Sequence, residues 1–233
     1  MARAQPSTTE KESLSHNLLG QRLGRKGRDT RDRIICATEK LLAEPAGTPI
    51  SLSAVAREAS LGMTTLYLYF SDLPELLIAV LTPIMATAER TYIGLLRARW
   101  RDEDLGEHCL RFVEAYYAFW VSNSRILHMR NAYADNNDER MRLARIDSSR
   151  MIIDLLVDQM DGPVSASPTR SPTYSMATVL LTGIERMITV ATDANFRNLV
   201  PEDTDPWIRS LMGAEARLLE LAIRDGRASR RTI

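Results

Sequence analysis

Cysteine is nearly missing from this chain. Cys36 and Cys109 are the only two among 233 residues, each isolated in an apolar-patterned stretch. That excludes a disulfide framework and a thiolate metal knuckle, and it fits a reducing, intracellular setting. Histidine is as scarce: His16, His108 and His128 have no close metal-ligand spacing with Cys, Asp or Glu. Asp135, Asp138 and Glu139 lie near His128, but a solvated turn between helices accounts for them. The chain has neither a Gly-rich phosphate loop nor a G-x-S-x-G elbow. No catalytic residue, metal or cofactor is therefore expected, and an enzyme is disfavoured. No run of about 18 uncharged apolar residues occurs, and the N-terminus lacks a signal-peptide core. A cytoplasmic protein that does not enter a membrane is expected. There is no alternating strand series and no internal repeat, which leaves an all-α chain.

Net charge is also missing: Lys plus Arg and Asp plus Glu both total 30. That balance argues against a general nucleic-acid coat or an architectural DNA-binding protein, but the distribution is uneven. From Met1 to Phe70 there are ten basic and seven acidic residues. Arg22, Arg25, Lys26, Arg28, Arg31 and Arg33 are opposed within their stretch only by Asp29 and Asp32. Such a cluster can neutralise phosphates; the alternative is a solubilising tail. Met1 to about Gly27 lacks periodicity and is expected to be disordered in isolation.

What is present is helical punctuation. Helical signals begin near Thr30, with Ile34, Ala37 and Leu41 on one line; Pro45 and Gly47 end that segment. Ser51 is a good N-cap for a helix whose Leu52, Val55, Ala56 and Ala59 form an apolar stripe. Ser60-Leu61-Gly62 breaks the chain, and a second short helix spans roughly Met63–Phe70. Two short amphipathic helices with a three-residue break make a helix-turn-helix, in which the first braces the second for a major groove. Leu66 and Phe70, four residues apart, should face a small core with Leu61. Thr65, Tyr67 and Tyr69 carry hydroxyls that can reach phosphates. Met63, Thr64 and Leu68 can meet thymine methyls or base edges, and the amides beside Gly62 can meet a phosphate. The aromatics could equally serve ordinary packing. Asp72-Leu73-Pro74-Glu75 resembles a capping box, and Pro83 should kink the helix after it or end it early.

The order of residues in this block resembles the tetracycline-repressor (TetR) family of bacterial regulators. The matching residues are Val55-Ala56, Ala59, Leu61 and Thr65-Leu66-Tyr67-Leu68-Tyr69-Phe70, with Leu76 after them, and the likeness covers about Arg31 to Leu81. It implies an N-terminal three-helix bundle containing the helix-turn-helix, and a C-terminal helical domain for ligand binding and dimerisation. The implied partners are a palindromic double-stranded DNA operator, a small-molecule effector and a second copy of the chain. Repression with ligand-induced release is the output the family usually gives, with activation as the alternative. Three departures stand out. Ser60 replaces the usual turn glycine, Gly62 replaces a frequent capping serine, and Leu73 replaces a phosphate-contacting lysine. The expected organisation is a flexible basic arm at 1–28, the DNA-binding domain at 29–75, the sensing and dimerising domain at 76–225, and a tail at 226–233. Expected DNA contacts are Arg22, Arg25, Lys26, Arg28, Ser51, Gly62, Met63, Thr64, Thr65, Tyr67, Leu68 and Tyr69.

Beyond Leu81 the reading rests on helical pattern. Helices are expected at about Glu103–Val121, Ser124–Ala134, Glu139–Met160, Ser175–Thr192 and Asp205–Asp225, with a Gly- and Pro-containing loop at Asp161–Pro172. Tyr92, Tyr116, Trp120, His128 and Met129 offer aromatic bodies and isolated polar tips suited to an effector pocket, though an ordinary core would use them as well. The family's last two helices dimerise. Their counterparts here carry the apolar stripes Leu180, Leu181, Ile184, Met187, Ile188 and Leu211, Met212, Leu218, Leu219. Those stripes could instead face their own domain's core.

Overall fold

Among the residues with helical periodicity, the chain winds into α-helices, and no strand occurs among the described residues. The structure is a computed structural model; residues 22–44, 48–161, 171–193, 196 and 204–231 are described. In chain order the helices are α1 (Arg25–Ala43), α2 (Leu52–Glu58), α3 (Met63–Tyr67), α4 (Leu73–Ala88), α5 (Gly94–Arg97), α6 (Leu105–Ser122), α7 (Ser124–Asp135), α8 (Glu139–Gln159), α9 (Pro172–Thr192) and α10 (Asp205–Arg231). Two compact units result, residues 1–82 and 83–233, with the division inside α4.

In the first unit, Ile34, Ala37, Val55, Ala56, Ala59, Leu66, Phe70 and Leu76 form one buried cluster. Ile34 and Ala37 come from α1, Val55 and Ala56 from α2, and Leu66 from α3, so three helices share one small core. The turn between α2 and α3 is a Schellman motif: the Ser60 amide donates to the Arg57 carbonyl at 3.1 Å, and the Leu61 amide to the Ala56 carbonyl at 2.8 Å. Ser60 reaches this geometry at φ 52°, the left-handed region that glycine enters without a Cβ penalty. Leu61 then packs against the cluster and holds the turn. At the start of α4 the capping box forms: Asp72 Oδ1 accepts from the Glu75 amide at 2.8 Å. Glu75 reaches back one residue further than the usual box, to the Ser71 amide and hydroxyl, both at 2.7 Å.

Pro83 does not end α4, which continues to Ala88, passes through a π-turn at Glu89–Ile93 and resumes as α5. The stretch Leu73–Arg97 is long and apolar enough to cross a membrane, with a mean hydropathy of 1.3 in its most apolar window. Within the protein Leu76, Leu77, Val80, Leu81, Ala88, Tyr92, Ile93 and Leu96 are buried, with 39% of that window enclosed, so part of its apolar content serves the core.

In the second unit α6 packs against α10, α8 against both α7 and α9, and α9 against α10. The corner after α5 is held by polar groups buried with the helices. Gln159 donates to the carbonyls of Leu96 and Ala98 at 2.9 and 2.8 Å and accepts from the Trp100 amide at 3.1 Å. The buried Arg227 donates to the Gln159 carbonyl and to Asp102. Gly226 sits so close to the Met160 carbonyl that a Cβ would lie 2.8 Å from it. These contacts explain why 226–231 continues α10 rather than forming a tail. They also leave the α8–α10 crossing no room for a side chain at 226. Between α7 and α8, Asn137 takes φ 67° in a second Schellman turn, and Asp138 caps α8 through the Met141 amide at 3.0 Å. Cys109 is buried in α6 and its thiol is pushed up to about 12 by desolvation, so it is a core residue and not a reactive thiol.

The α2–α3 turn generates a prediction. Ser60→Gly removes left-handed strain of about 1–2 kcal/mol, partly offset by about 0.4–1 kcal/mol of added unfolded-state entropy. A net stabilisation of about 0.5–1 kcal/mol is expected in urea unfolding, with an unchanged slope. A lowered midpoint would show that the serine side chain contributes more than its backbone strain costs.

Candidate nucleic-acid interface and sensor cleft

The short helix α3 is positioned from its inner face. Leu66 and Phe70 are buried in the three-helix core, and the backbone continues past Tyr67 in turns, with the amides of Leu68, Tyr69 and Phe70 still hydrogen-bonded to Thr65 and Leu66. The helical segment therefore stops at Tyr67, three residues before the Phe70 expected from the spacing. Tyr67 points outward and is 49% exposed, Thr64 is exposed, and Thr65 and Leu68 are half-buried. Met63 and Tyr69 are half-buried and pack against the core cluster. A five-residue helix spends part of both side chains on anchoring itself and leaves the remainder at the surface. Gly62 is exposed at the N-cap with no side-chain cap and open space where a Cβ would stand. The Ser51 hydroxyl is already committed: it accepts from the Ala54 amide at 3.2 Å and shares a 2.9 Å bond with Ser53.

The basic cluster is not a free arm throughout. Arg22 is exposed, but α1 starts at Arg25, so Arg25, Lys26 and Arg28 sit on its first turns, and all three are exposed. Arg28 also donates to the Leu23 carbonyl at 3.0 Å. Cations at the positive end of a helix dipole are unfavourable by themselves, and this helix has no acidic residue in its first turn. Residues 1–21 lie outside the described residues, as do 45–47, which include the expected helix stops Pro45 and Gly47. Arg31 lies over the Phe70 ring at 5.2 Å, tying α1 to the segment after α3; its burial lowers the guanidinium pKa from the ordinary value.

In the second unit the residues expected to line a pocket mostly form core. Tyr92, Tyr116 and Trp120 are buried; the Tyr92 ring packs tilted against Tyr116 at 4.6 Å and meets Phe119 edge-on at 5.1 Å. His128 bonds Thr192 at 2.9 Å and meets the Trp120 ring edge-on, and desolvation holds its imidazole below the usual value. Met129 is half-buried. None of these five lines the described cleft of 260 Å³, whose walls are Arg145, Ile146, Ser149, Arg150 and Ile153 of α8 with Tyr174 and Glu185 of α9. Tyr116 touches this cleft from behind, donating its hydroxyl to Glu185 Oε1 at 2.9 Å, and Ser149 donates to the same oxygen at 3.3 Å. The sequence signal for this wall was the polar interruption Arg145, Ser149 and Arg150 on a helix face that ends in the buried Ile153.

Most residues of the expected interface stripes are buried within one subunit. Leu181, Ile184, Ile188 and Leu219 are essentially inaccessible within one subunit, and Leu180, Met187 and Met212 are buried; Leu211 is half-buried. A side chain already enclosed by its own domain cannot meet a second copy. Of the nine, Leu218 faces outward, at 53% exposure. The other large apolar groups turned outward on α9 and α10 are Met176, Val179, Leu221 and Trp207, with Val179 67% exposed. The outward stripe is offset from the expected one because each helix turns its broad apolar face into the domain first.

The fold and these two sites define an all-α protein with an N-terminal helix-turn-helix unit and a C-terminal helical unit. Solved structures with a similar fold include two regulators. One is a TetR family transcription regulator from Marinobacter aquaeolei VT8, at 19% identity and TM-score 0.51, covering 84% of this chain and 98% of that one. The other is a TetR-like transcriptional regulator from Rhodococcus sp. RHA1, at 17% identity and TM-score 0.52, covering 89% and 99%. No family model matches the chain, and no curated protein matches it. Among the described residues no group of three or more His, Cys, Asp and Glu could hold a metal ion.

The Tyr116–Glu185 bond joins the aromatic core to the cleft wall. Tyr116→Phe removes a donor from a partly buried carboxylate that retains Ser149, so a loss of about 1–2 kcal/mol is expected in urea unfolding. An unchanged unfolding free energy would mean that solvent replaces the tyrosine hydroxyl without cost.

Proposed function

We propose that the chain is a TetR-family DNA-binding transcriptional regulator that reads a palindromic operator as a homodimer and is released from it by a small effector. The observation that carries this reading is α3: a helix braced by Leu66 and Phe70 that turns Tyr67 and Thr64 to solvent directly after a Schellman turn. The fold likeness, which spans nearly the whole of both regulators, supports it. Tyr67, Thr65 and Tyr69 bind phosphates through their hydroxyls, Thr64 and Leu68 lie against base edges, and Arg22, Arg25, Lys26 and Arg28 add backbone charge. A phosphate beside Arg25–Arg28 would also offset the unfavourable cations at the N-terminus of α1.

Dimerisation belongs to the outward faces of α9 and α10, through Val179, Met176, Leu218 and Leu221. Reading a palindrome requires the two heads of such a dimer to reach successive major grooves, about 34–36 Å apart. An effector that favours another arrangement of the C-terminal helices shifts the population away from that spacing. It does so only by the difference in its affinity for the two arrangements.

The reading is tested with duplexes selected from a random pool and titrated by fluorescence anisotropy. Tyr67→Phe should weaken binding by about 1–2 kcal/mol with little change in sequence preference, since it removes one phosphate hydrogen bond. Parental affinity would reject Tyr67 as a contact, and failure of the parent protein to select any duplex would reject the regulator.

A paired test addresses the interface. Val179→Glu with Leu218→Glu should give a folded monomer by sedimentation and a loss of full-operator affinity, because one head then reads one half-site. Ile184→Glu should instead unfold the C-terminal unit, since it puts a carboxylate into a sealed apolar core at a cost of several kcal/mol. A folded Val179/Leu218 variant that stays dimeric would reject this face.

A further inference from the structure

Arg130 is a charge in an unusual place. Its side chain comes from α7 and is 3% exposed, enclosed with the rings of Tyr92, Tyr116 and Trp120. Burying a guanidinium costs several kcal/mol unless an anion compensates it. Yet among the described residues its hydrogen-bond partners are neutral: Asn131 Oδ1 at 3.1 and 3.2 Å, and the Ser148 hydroxyl at 3.3 Å. The Trp120 ring lies 5.7 Å from its guanidinium carbon, a weaker compensation than a carboxylate. Glu185 acts on Arg130 only at longer range, and its own Oε1 is engaged by Tyr116 and Ser149.

Arg130 lies directly behind the α8–α9 cleft, since Ser148 holds it and Ser149 lines the cleft. In the cleft, Arg145 is tied to Asp135 at 2.7 Å. Arg150 has no partner among the described residues, and neither has the Tyr174 hydroxyl. The carboxylate of Glu185 accepts from Tyr116 and Ser149 at the back of the wall, and Arg150 is the lining cation left without a described partner. Ile146 and Ile153 supply an apolar floor. The volume of 260 Å³ lies below the usual range for drug-sized ligands of about 300–1,000 Å³, which restricts the occupant to a small molecule.

We propose that the α8–α9 cleft is the effector site and that its ligand is a small amphipathic organic anion, a carboxylate on a short hydrocarbon or aromatic body. The carboxylate binds Arg150 and the Tyr174 hydroxyl, the body lies on Ile146 and Ile153, and Arg130 biases the site electrostatically from behind the wall. This rests on the reading of the chain as an effector-responsive regulator, but the binding step can be tested without DNA.

The experiment is isothermal titration calorimetry on the full chain with hexanoate, octanoate and 4-phenylbutanoate, each beside its neutral amide and its primary amine. At least one carboxylate should bind tenfold or more tightly than its amide, with the amine weakest. Arg150→Gln, an exposed position, should cut the carboxylate preference to threefold or less and leave the melting temperature unchanged. A preference for the amines, equal binding of all three head groups, or no carboxylate binding would overturn the proposal. So would an anion preference that survives Arg150→Gln. The same carboxylates are then added to the protein–operator complex. Binding without any change in operator affinity would uphold the anion site while overturning effector-driven release, so the two readings fail separately.

Discussion

A five-residue helix cannot hold itself together in water, because the cost of nucleating it exceeds what so few hydrogen bonds return. Everything that α3 presents to a partner therefore depends on the burial of Leu66 and Phe70 among Ile34, Ala37, Val55 and Ala59. Two buried side chains of this size contribute about 1.5–3 kcal/mol each. That burial orients Tyr67 and Thr64 outward, and it also limits the surface available, since Met63 and Tyr69 are partly drawn into the same packing. Anchoring and recognition compete for the residues of one short segment.

The turn that delivers α3 follows the same logic. Ser60 accepts a left-handed conformation because the two Schellman hydrogen bonds and the packing of Leu61 over-determine it. At Gly62 the reverse holds. Its φ is −73°, so nothing in the backbone requires glycine there, and helix α3 simply begins without a side-chain cap.

The second unit is organised by polar groups placed inside an apolar bundle. Gln159 and Arg227 close the corner near Trp100 and set how α8 and α10 approach. Arg130, Tyr116 and Glu185 form a second such set, which opens on the α8–α9 cleft instead of being fully satisfied within the core. Closed networks of this kind make a bundle rigid, and open ones leave binding capacity facing solvent.

The amino-acid order by itself determined the all-α class, the positions of α2 and α6–α9 to within a few residues, the start of α10, and the inward role of Leu66 and Phe70. Those features are local: helical spacing, the cap at Ser51 and the Asp72–Glu75 box act within a few residues of one another. Tertiary packing decided the rest. Whether Ile184 or Val179 faces outward depends on which side of α9 meets the other helices, and both belong to apolar spacings that periodicity alone cannot rank. Tyr92 and Trp120 have the composition of a pocket or of a core, and only tertiary packing, Tyr92 against Tyr116 and Trp120 against His128, makes them core. The cleft as a whole has no local sequence signature for the same reason. It is built from Arg145, Ser149 and Arg150 on one helix and Tyr174 and Glu185 on another, and no local pattern links residues that meet only when α8 and α9 pack.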